Sequence, residues 1–347
     1  MSFDRDLFLP VSRDDMAHRG WDDYDVLIIT GDAYVDHPSF GPTIIGRLLE
    51  DEGYRVAILA QPDWRTPAAF SALGRPRLAV MISAGNLDSM VAHYTAAKKR
   101  RHDDAYSPGR RAGLRPDHAT VVYSNRVREV FGDIPIVIGG LEASLRRFAH
   151  YDYWEDKVRR AILFDSQADL LVYGMGERAT REIAARLASG TPIREITDVK
   201  GTAFIAKDPS ACAYPKVECP SFEAVSTDKR AYAQANQIQY EEHDPVRGKA
   251  ILQRHGVKTA ICTDHPETPI QYLPLCAAMA VRGGMDPESA LACITIRAAE
   301  LAGVAHRVGS LAPGKDADLT VTSSHPLNWL SRVRLVVMDG KVVVSSL

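Results

Sequence analysis

Between residues 25 and about 198 the chain repeats one pattern, a short and almost continuously apolar run followed by a helical stretch. The runs are VLIIT (26–30), RVAILA (55–60), RLAVMIS (77–83), IPIVIGG (134–140) and LLVYG (170–174). A strand that alternates apolar and polar residues has one wet face. These runs scarcely alternate, which predicts strands buried on both faces of a parallel sheet. Between the first two lies TIIGRLLEDEG, with Ile44, Ile45, Leu48 and Leu49 on one helical face and Gly53 placed to end the helix. Repeated strand–helix–strand order defines a doubly wound α/β domain with a parallel sheet.

Ligands in such folds sit at the carboxyl ends of the strands. The loops there are polar: GDAYVDHPSFG (31–41), SAGNLDSM (83–90) and GGLEASLRRFAHYDYW (139–154). Gly31, Asp36, His37, Gly139 and Gly140 are therefore the candidate ligand-binding residues. A glycine pair directly after a strand lets a ligand approach the backbone, or lets strand pack on helix. Asp36 and Ser39 are also suited to capping the next helix. Pro38 biases His37 toward extended backbone. The run Lys98-Lys99-Arg100-Arg101 reads as a solvated helix end or a phosphate-holding patch.

The pattern changes along the rest of the chain. Residues 202–226 carry Pro209, Pro215 and Pro220 and read as a loop. A helix is expected next, capped by Ser226 or Thr227 and ending before Pro245, and 247–256 can continue as helix. Beyond Gly256 the expectations are a strand from 257 into a loop at Thr263, Asp264 and His265, then a helix over 273–281. A second amphipathic helix over 287–303 shows Ala290, Leu291, Ile294, Ala298 and Leu301 on one face. The chain closes with two or three strands and an Asp339-Gly340 hairpin turn.

Composition narrows the partners. A formal charge of −2 argues against a broad electrostatic hold on nucleic acid or an anionic membrane. No apolar run reaches the roughly 20 residues of a membrane helix, and the start MSFDRDLFLP lacks the basic-then-apolar order of a signal peptide. The five cysteines (Cys212, Cys219, Cys262, Cys276 and Cys293) form no C-x-x-C pair and suit reduced thiols. A cytoplasmic protein taking a small-molecule ligand, and neither nucleic acid nor membrane, is the expectation.

Residues 8 to about 250 closely resemble the N-terminal region of the YgiQ-like radical SAM family. The resemblance rests on FLPVSRDDMAHRGWDDYD, TGDAYVDHPSFG, AQPDWR, YTAAKKRRHDDAYSPGRRAGLRPDHATVVYSNRVRE, GGLEASLRRFAHYDYW and QYEEHDPVRGK. It implies a Rossmann-like domain of the cobalamin-binding type, which in that family precedes the radical SAM barrel. The barrel's cluster motif is C-x-x-x-C-x-x-C, and this chain has no such spacing.

Residues from about 250 or 256 to 340 resemble the C-terminal end of metal-dependent amidohydrolases, the imidazolonepropionase-like members in particular. ICTDHPETPIQYLPLCAAMAV, ITIRAAELAGV, RVGSLAPGKDADLTV and VMDGKVV carry this second resemblance. It implies that Asp264 follows the last barrel strand as metal ligand and proton acceptor for the attacking water, with zinc or a similar divalent ion. It implies also a truncated amidohydrolase tail: last barrel strand, helices and strands of a small β-sandwich. A complete (β/α)₈ barrel takes roughly 250 residues, and none of the eleven histidines lies in an H-x-H pair.

The expected organisation is thus a Rossmann-like domain over 1–200, a loop and helical connector over 201–256 and an amidohydrolase fragment over 257–347. As for function, a composite chain competent in neither parent chemistry is expected. The alternatives are a metal-dependent hydrolase of C–N (non-peptide) bonds and a radical SAM relative retaining only cobalamin- or nucleotide-type binding. Helix faces between Leu273 and Leu301 that normally pack on a barrel are expected to form an exposed apolar patch or to dock onto the N-terminal domain.

Overall fold

The computed structural model describes residues 8–244, 247–256, 260–264 and 266–346. The chain forms two compact units that meet in sequence between His255 and Gly256.

The first unit begins with helix α1 (Arg13–His18). Its sheet follows as β1 (Val26–Thr30), helix α2 (Gly41–Asp51), β2 (Val56–Ala60), β3 (Ala79–Ser83) and helix α3 (Ser89–His93). Next come α4 (Ala119–Phe131), β4 (Ile136–Gly139), α5 (Gly140–Leu145) and a small antiparallel hairpin, β5 (His150–Asp152) with β6 (Lys157–Arg159). Then α6 (Ile162–Ser166), β7 (Leu170–Val172), α7 (Glu177–Ala188) and β8 (Thr202–Ala203) complete the sheet, ordered β2-β1-β3-β4-β7-β8. The first five strands are parallel and β8 is an antiparallel edge.

Both sheet faces are covered, as the apolar runs require. Leu27, Ile29, Val80, Ile82, Ile136 and Ile138 pack with Tyr123 and Val127 of α4. The alternate residues Val26, Ile28, Val56, Ile58 and Met81 pack with Leu49 of α2 and Ile183 of α7. Gly53 follows the α2 C-cap at φ +89°, the left-handed position that spares glycine a Cβ clash.

Several local expectations are corrected. Neither Asp36 nor Ser39 caps α2, whose N-cap is Phe40 without a side-chain bond. The basic run is not a helix end, because α3 stops at His93; Lys98 has φ +58°, and Tyr94 bridges Arg100. Residues 202–226 are not simply loop, since β9 (Lys216–Cys219) and α8 (Phe222–Thr227) lie there. The next helix, α9 (Lys229–Glu241), is capped by Asp228 rather than Ser226 or Thr227, which end α8. In place of helix, residues 250–253 form β10 (Ala250–Gln253), parallel to β9. Cys219, Val225, Ala235 and Ala149 form a small core here, where Phe222, Tyr232 and Ile251 also pack. Pairing with β9 and the partial burial of Ile251 against this core outweigh the helical propensity of its neighbours.

The second unit holds α10 (Leu273–Arg282), α11 (Pro287–Cys293), α12 (Ile296–Leu301) and an antiparallel sheet of β11 (Leu319–Thr322), β12 (Val333–Met338) and β13 (Lys341–Ser345). The expected strand from 257 lies partly outside the described residues, and its described part, 260–264, is not a strand. The expected single helix over 287–303 is broken at Ile294-Thr295. Thr295 leaves helical geometry (φ −131°, ψ −103°) while its hydroxyl donates back to Leu291 O. The break turns Ala290, Cys293 and Ala299 inward and leaves Leu301 exposed, together with Leu275 and Met279 of α10. The β12–β13 turn uses Asp339 and Gly340 at φ 49° and 72°, the two left-handed residues of a type I′ hairpin.

Candidate functional site at the carboxyl ends of the parallel strands

The chain leaves β1 toward β2 on one side and returns to β3 on the other, so the crevice between β1 and β3 is the topological switch point. Gly31 follows β1, and a Cβ there would stand 2.1 Å from Ala84 O. Gly85, at φ +105°, likewise makes room for the Asp32 carboxylate. Both glycines are needed for contact within the protein.

A buried charge cluster fills this crevice. Arg115 places NH2 3.0 Å from Asp32 Oδ1 and Nε 2.9 Å from Asp104 Oδ2, and it donates to Ala84 O at 2.9 Å. All three side chains are at most 2% exposed. Burial pushes the Asp32 carboxyl up; the Asn86 N–H (2.7 Å) and Arg115 oppose that shift. The recess left beside Asp32, Tyr34, Phe40 and Thr43 is small, on the scale of a single water molecule.

Asp36 is held by Arg47, which also binds Glu50. His37 is exposed, and its Nδ1 accepts from Ser39 N at 3.1 Å. In the neutral ring that bond puts the proton on Nε2, making it a donor. His37 therefore cannot ligate a metal through Nε2 without surrendering the Ser39 contact.

Gly139 and Gly140 lie at the next rim. Gly140 (φ +80°) faces Ser83 Oγ, which would stand 2.5 Å from a Cβ, and its other side is open to solvent. Two residues on, buried Glu142 accepts from Ser89 N (2.8 Å), Ser89 Oγ (2.5 Å) and Thr120 N (2.9 Å). One carboxylate thus serves the amino ends of α3 and α4, where negative charge is favoured. Glu142→Gln is expected to cost about 1–2 kcal/mol by urea denaturation, because the charge goes while an acceptor stays.

Two further groups lie at the end of α3 and at the end of β5, each joined by loop residues. His93 Nδ1 stands 2.5 Å from Asp117 Oδ1, and Tyr94 OH donates to Asp117 Oδ2 at 2.8 Å. Burial acts to raise Asp117, but these two bonds together with the charges of His93 and Arg100 outweigh it and hold the carboxyl low. His118, Asp152 and Glu155 bring ligand atoms within 4.8 Å of one another, the one such metal-sized group among the described residues. Arg159 meets both carboxylates and Lys157 meets Glu155, so that group already carries its counter-charge.

Asp264 sits in the second unit, exposed, in a turn at φ +51°. Among the described residues no group of metal-binding geometry includes it; its neighbour His265 lies outside those residues. Sequence reasoning thus brought Gly31, Asp36, His37, Gly139 and Gly140 to one edge of the sheet. It missed Arg115, Asp104 and Glu142, which are distant in sequence from the groups they bind. Arg115 and Asp104 lie in the quoted segment YTAAKKRRHDDAYSPGRRAGLRPDHATVVYSNRVRE and Glu142 in GGLEASLRRFAHYDYW, which was the one available signal.

The chain belongs to the family described as radical SAM N-terminal, matched over residues 8–282. The amidohydrolase family matches residues 225–344, overlapping the first match. A UPF0313 protein of Geobacter sulfurreducens, of the YgiQ-like group, is 52% identical over 268 residues, 77% of this chain and 44% of that protein. A UPF0313 protein of Clostridium perfringens strain 13 is 51% identical over 263 residues, 76% and 40% respectively. The chain therefore spans less than half the length of these relatives. Among solved structures, a radical S-adenosylmethionine methyltransferase from Kitasatospora setae is 14% identical with TM-score 0.35, covering 78% of this chain and 54% of its own. An amidohydrolase from Thermotoga maritima is 20% identical with TM-score 0.25, covering 66% and 41%.

Proposed function

We propose that this chain is a composite of a radical SAM N-terminal module and a truncated amidohydrolase-type tail. It carries out neither parent reaction, and its remaining capacity is to bind a small molecule at the carboxyl rim of the parallel sheet. The observation that carries this reading is the donor inventory. The five cysteines do not offer three thiolates in the spacing that a [4Fe–4S] cluster takes. Cys219, moreover, is buried in apolar surroundings that push its thiol up to about 11. Catalytic zinc needs three protein ligands and an open position, and Asp264 has no such set among the described residues.

A corrin held by His37 does not fit either, since its Nδ1 already accepts from Ser39 N. The open side of the Gly139–Gly140 turn is the place for a ligand. Metal analysis of the purified full chain is expected to find less than about 0.1 equivalent of zinc after dialysis. Reconstitution with iron and sulfide is expected to give no absorbance near ~400 nm. Stoichiometric zinc or a stable cluster would sink the reading.

A further inference from the structure

Arg147 differs from the other arginines that the first unit partly buries. Arg19, Arg47, Arg115, Arg128, Arg146 and Arg186 each pair with a carboxylate. Arg147 pairs with none among the described residues. Its NH1 donates to Ser144 O at 2.7 Å, and its guanidinium carbon lies 5.5 Å from the Phe148 ring and 5.0 Å from the Tyr173 ring. Aromatic faces attract a cation but do not neutralise it. Burial accordingly pushes this guanidinium down from the usual arginine range. A cation withdrawn from water without counter-charge is unfavourable, and a bound anion would reverse that.

The position suits an anion. Arg147 follows α5 beyond the end of β4, and Tyr173 is the first residue after β7; these strands are neighbours. Helix α7 starts on the same rim, and its N-cap, Gly176, offers no side-chain cap to the first amides. We propose that Arg147, clamped by Phe148 and Tyr173, is the recognition group for a phosphate or carboxylate carried by a small-molecule ligand. The planar fork of the guanidinium matches either anion bidentately. This inference deepens the small-molecule reading above and rests on it.

The test titrates inorganic phosphate, pyrophosphate and succinate into the full chain at constant ionic strength, with chloride as reference, following Tm. The expected result is a saturable rise in Tm that Arg147→Met abolishes and Arg147→Lys weakens about tenfold, the lysine lacking the fork. Exposed Arg194 serves as control, and Arg194→Gln should respond as the parent does. A response to succinate alone assigns a carboxylate ligand; a response to the phosphates alone assigns a phosphate. No rise beyond chloride, or an equal rise in Arg147→Met, overturns the proposal. Should Arg147→Met fail to fold by circular dichroism, Arg147→Lys decides, and an undiminished response in that variant overturns it. A nucleotide that binds parent and folded Arg147→Met equally would remove Arg147 as the recognition group while leaving the binding module standing.

Discussion

Arg115→Met is expected to lower the unfolding free energy by about 3–5 kcal/mol, read from urea denaturation at neutral pH. Arg115 is the cation shared by Asp32 and Asp104, all three at most 2% exposed. Removing it leaves two like charges facing each other out of water. The deficit has a defined pH dependence. Burial already raises Asp32 in the folded parent, so its folded form binds a proton more readily than the unfolded chain does. Such a group gains stability as pH falls from its folded pKa toward the unfolded value near ~3.9. Without Arg115 that pull grows, and the gap between parent and variant should narrow on acidification. Adding Asp32→Asn and Asp104→Asn to Arg115→Met should recover much of the loss. A deficit below about 1 kcal/mol would mean that the cluster behaves like a surface ion pair.

Acid should destabilise the parent through His150, whose pKa burial depresses to about 4; Arg146 and Arg159 add to that, against Phe148 O and Asp152. His150 Nδ1 meets Phe148 O at 3.1 Å, while the buried Nε2 has no acceptor for a second proton. Between the unfolded value near ~6.5 and the folded value the unfolded chain holds the extra proton. The stability is therefore complete above that window and is lost as pH falls through it, by up to about 3 kcal/mol. His150→Asn can keep a donor to Phe148 O and has nothing to titrate. Chemical denaturation from pH 7 to 4 should show a smaller loss in this variant, by roughly that amount. His255, packed against Phe164 and Phe222, is also lowered by burial and contributes in the same direction in both proteins. Parallel pH curves for parent and variant would refute the assignment to His150.

Much of the first unit was legible because its signals are local. The run 26–30 lacks alternation and forms a strand with every residue buried, and Gly53 marks the end of α2. The Asp339-Gly340 pair turns a hairpin since both positions need positive φ. Errors arose where a distant partner outweighed local preference. Residues 250–253 became a strand because 216–219 offers parallel pairing and a small core. The second apolar helix broke for a local reason instead, Thr295 leaving helical geometry while its hydroxyl bonds back to Leu291 O. Of the candidate site, the position of the glycines at the strand ends was legible, but the contacts they serve were not. Nothing local to Gly31 says that Ala84 O occupies the space of its missing Cβ.

The sequence by itself determined the parallel α/β core, the carboxyl edge where its polar loops gather, and the absence of a three-cysteine cluster motif. These follow from periodicity and spacing, which a linear chain displays directly. Only the tertiary structure decided that the β1–β3 crevice is filled by Arg115 and its two aspartates, and that Arg147 is half buried with no carboxylate partner among the described residues. Whether a charge is paired depends on which distant side chains share its space, and folding alone brings those together.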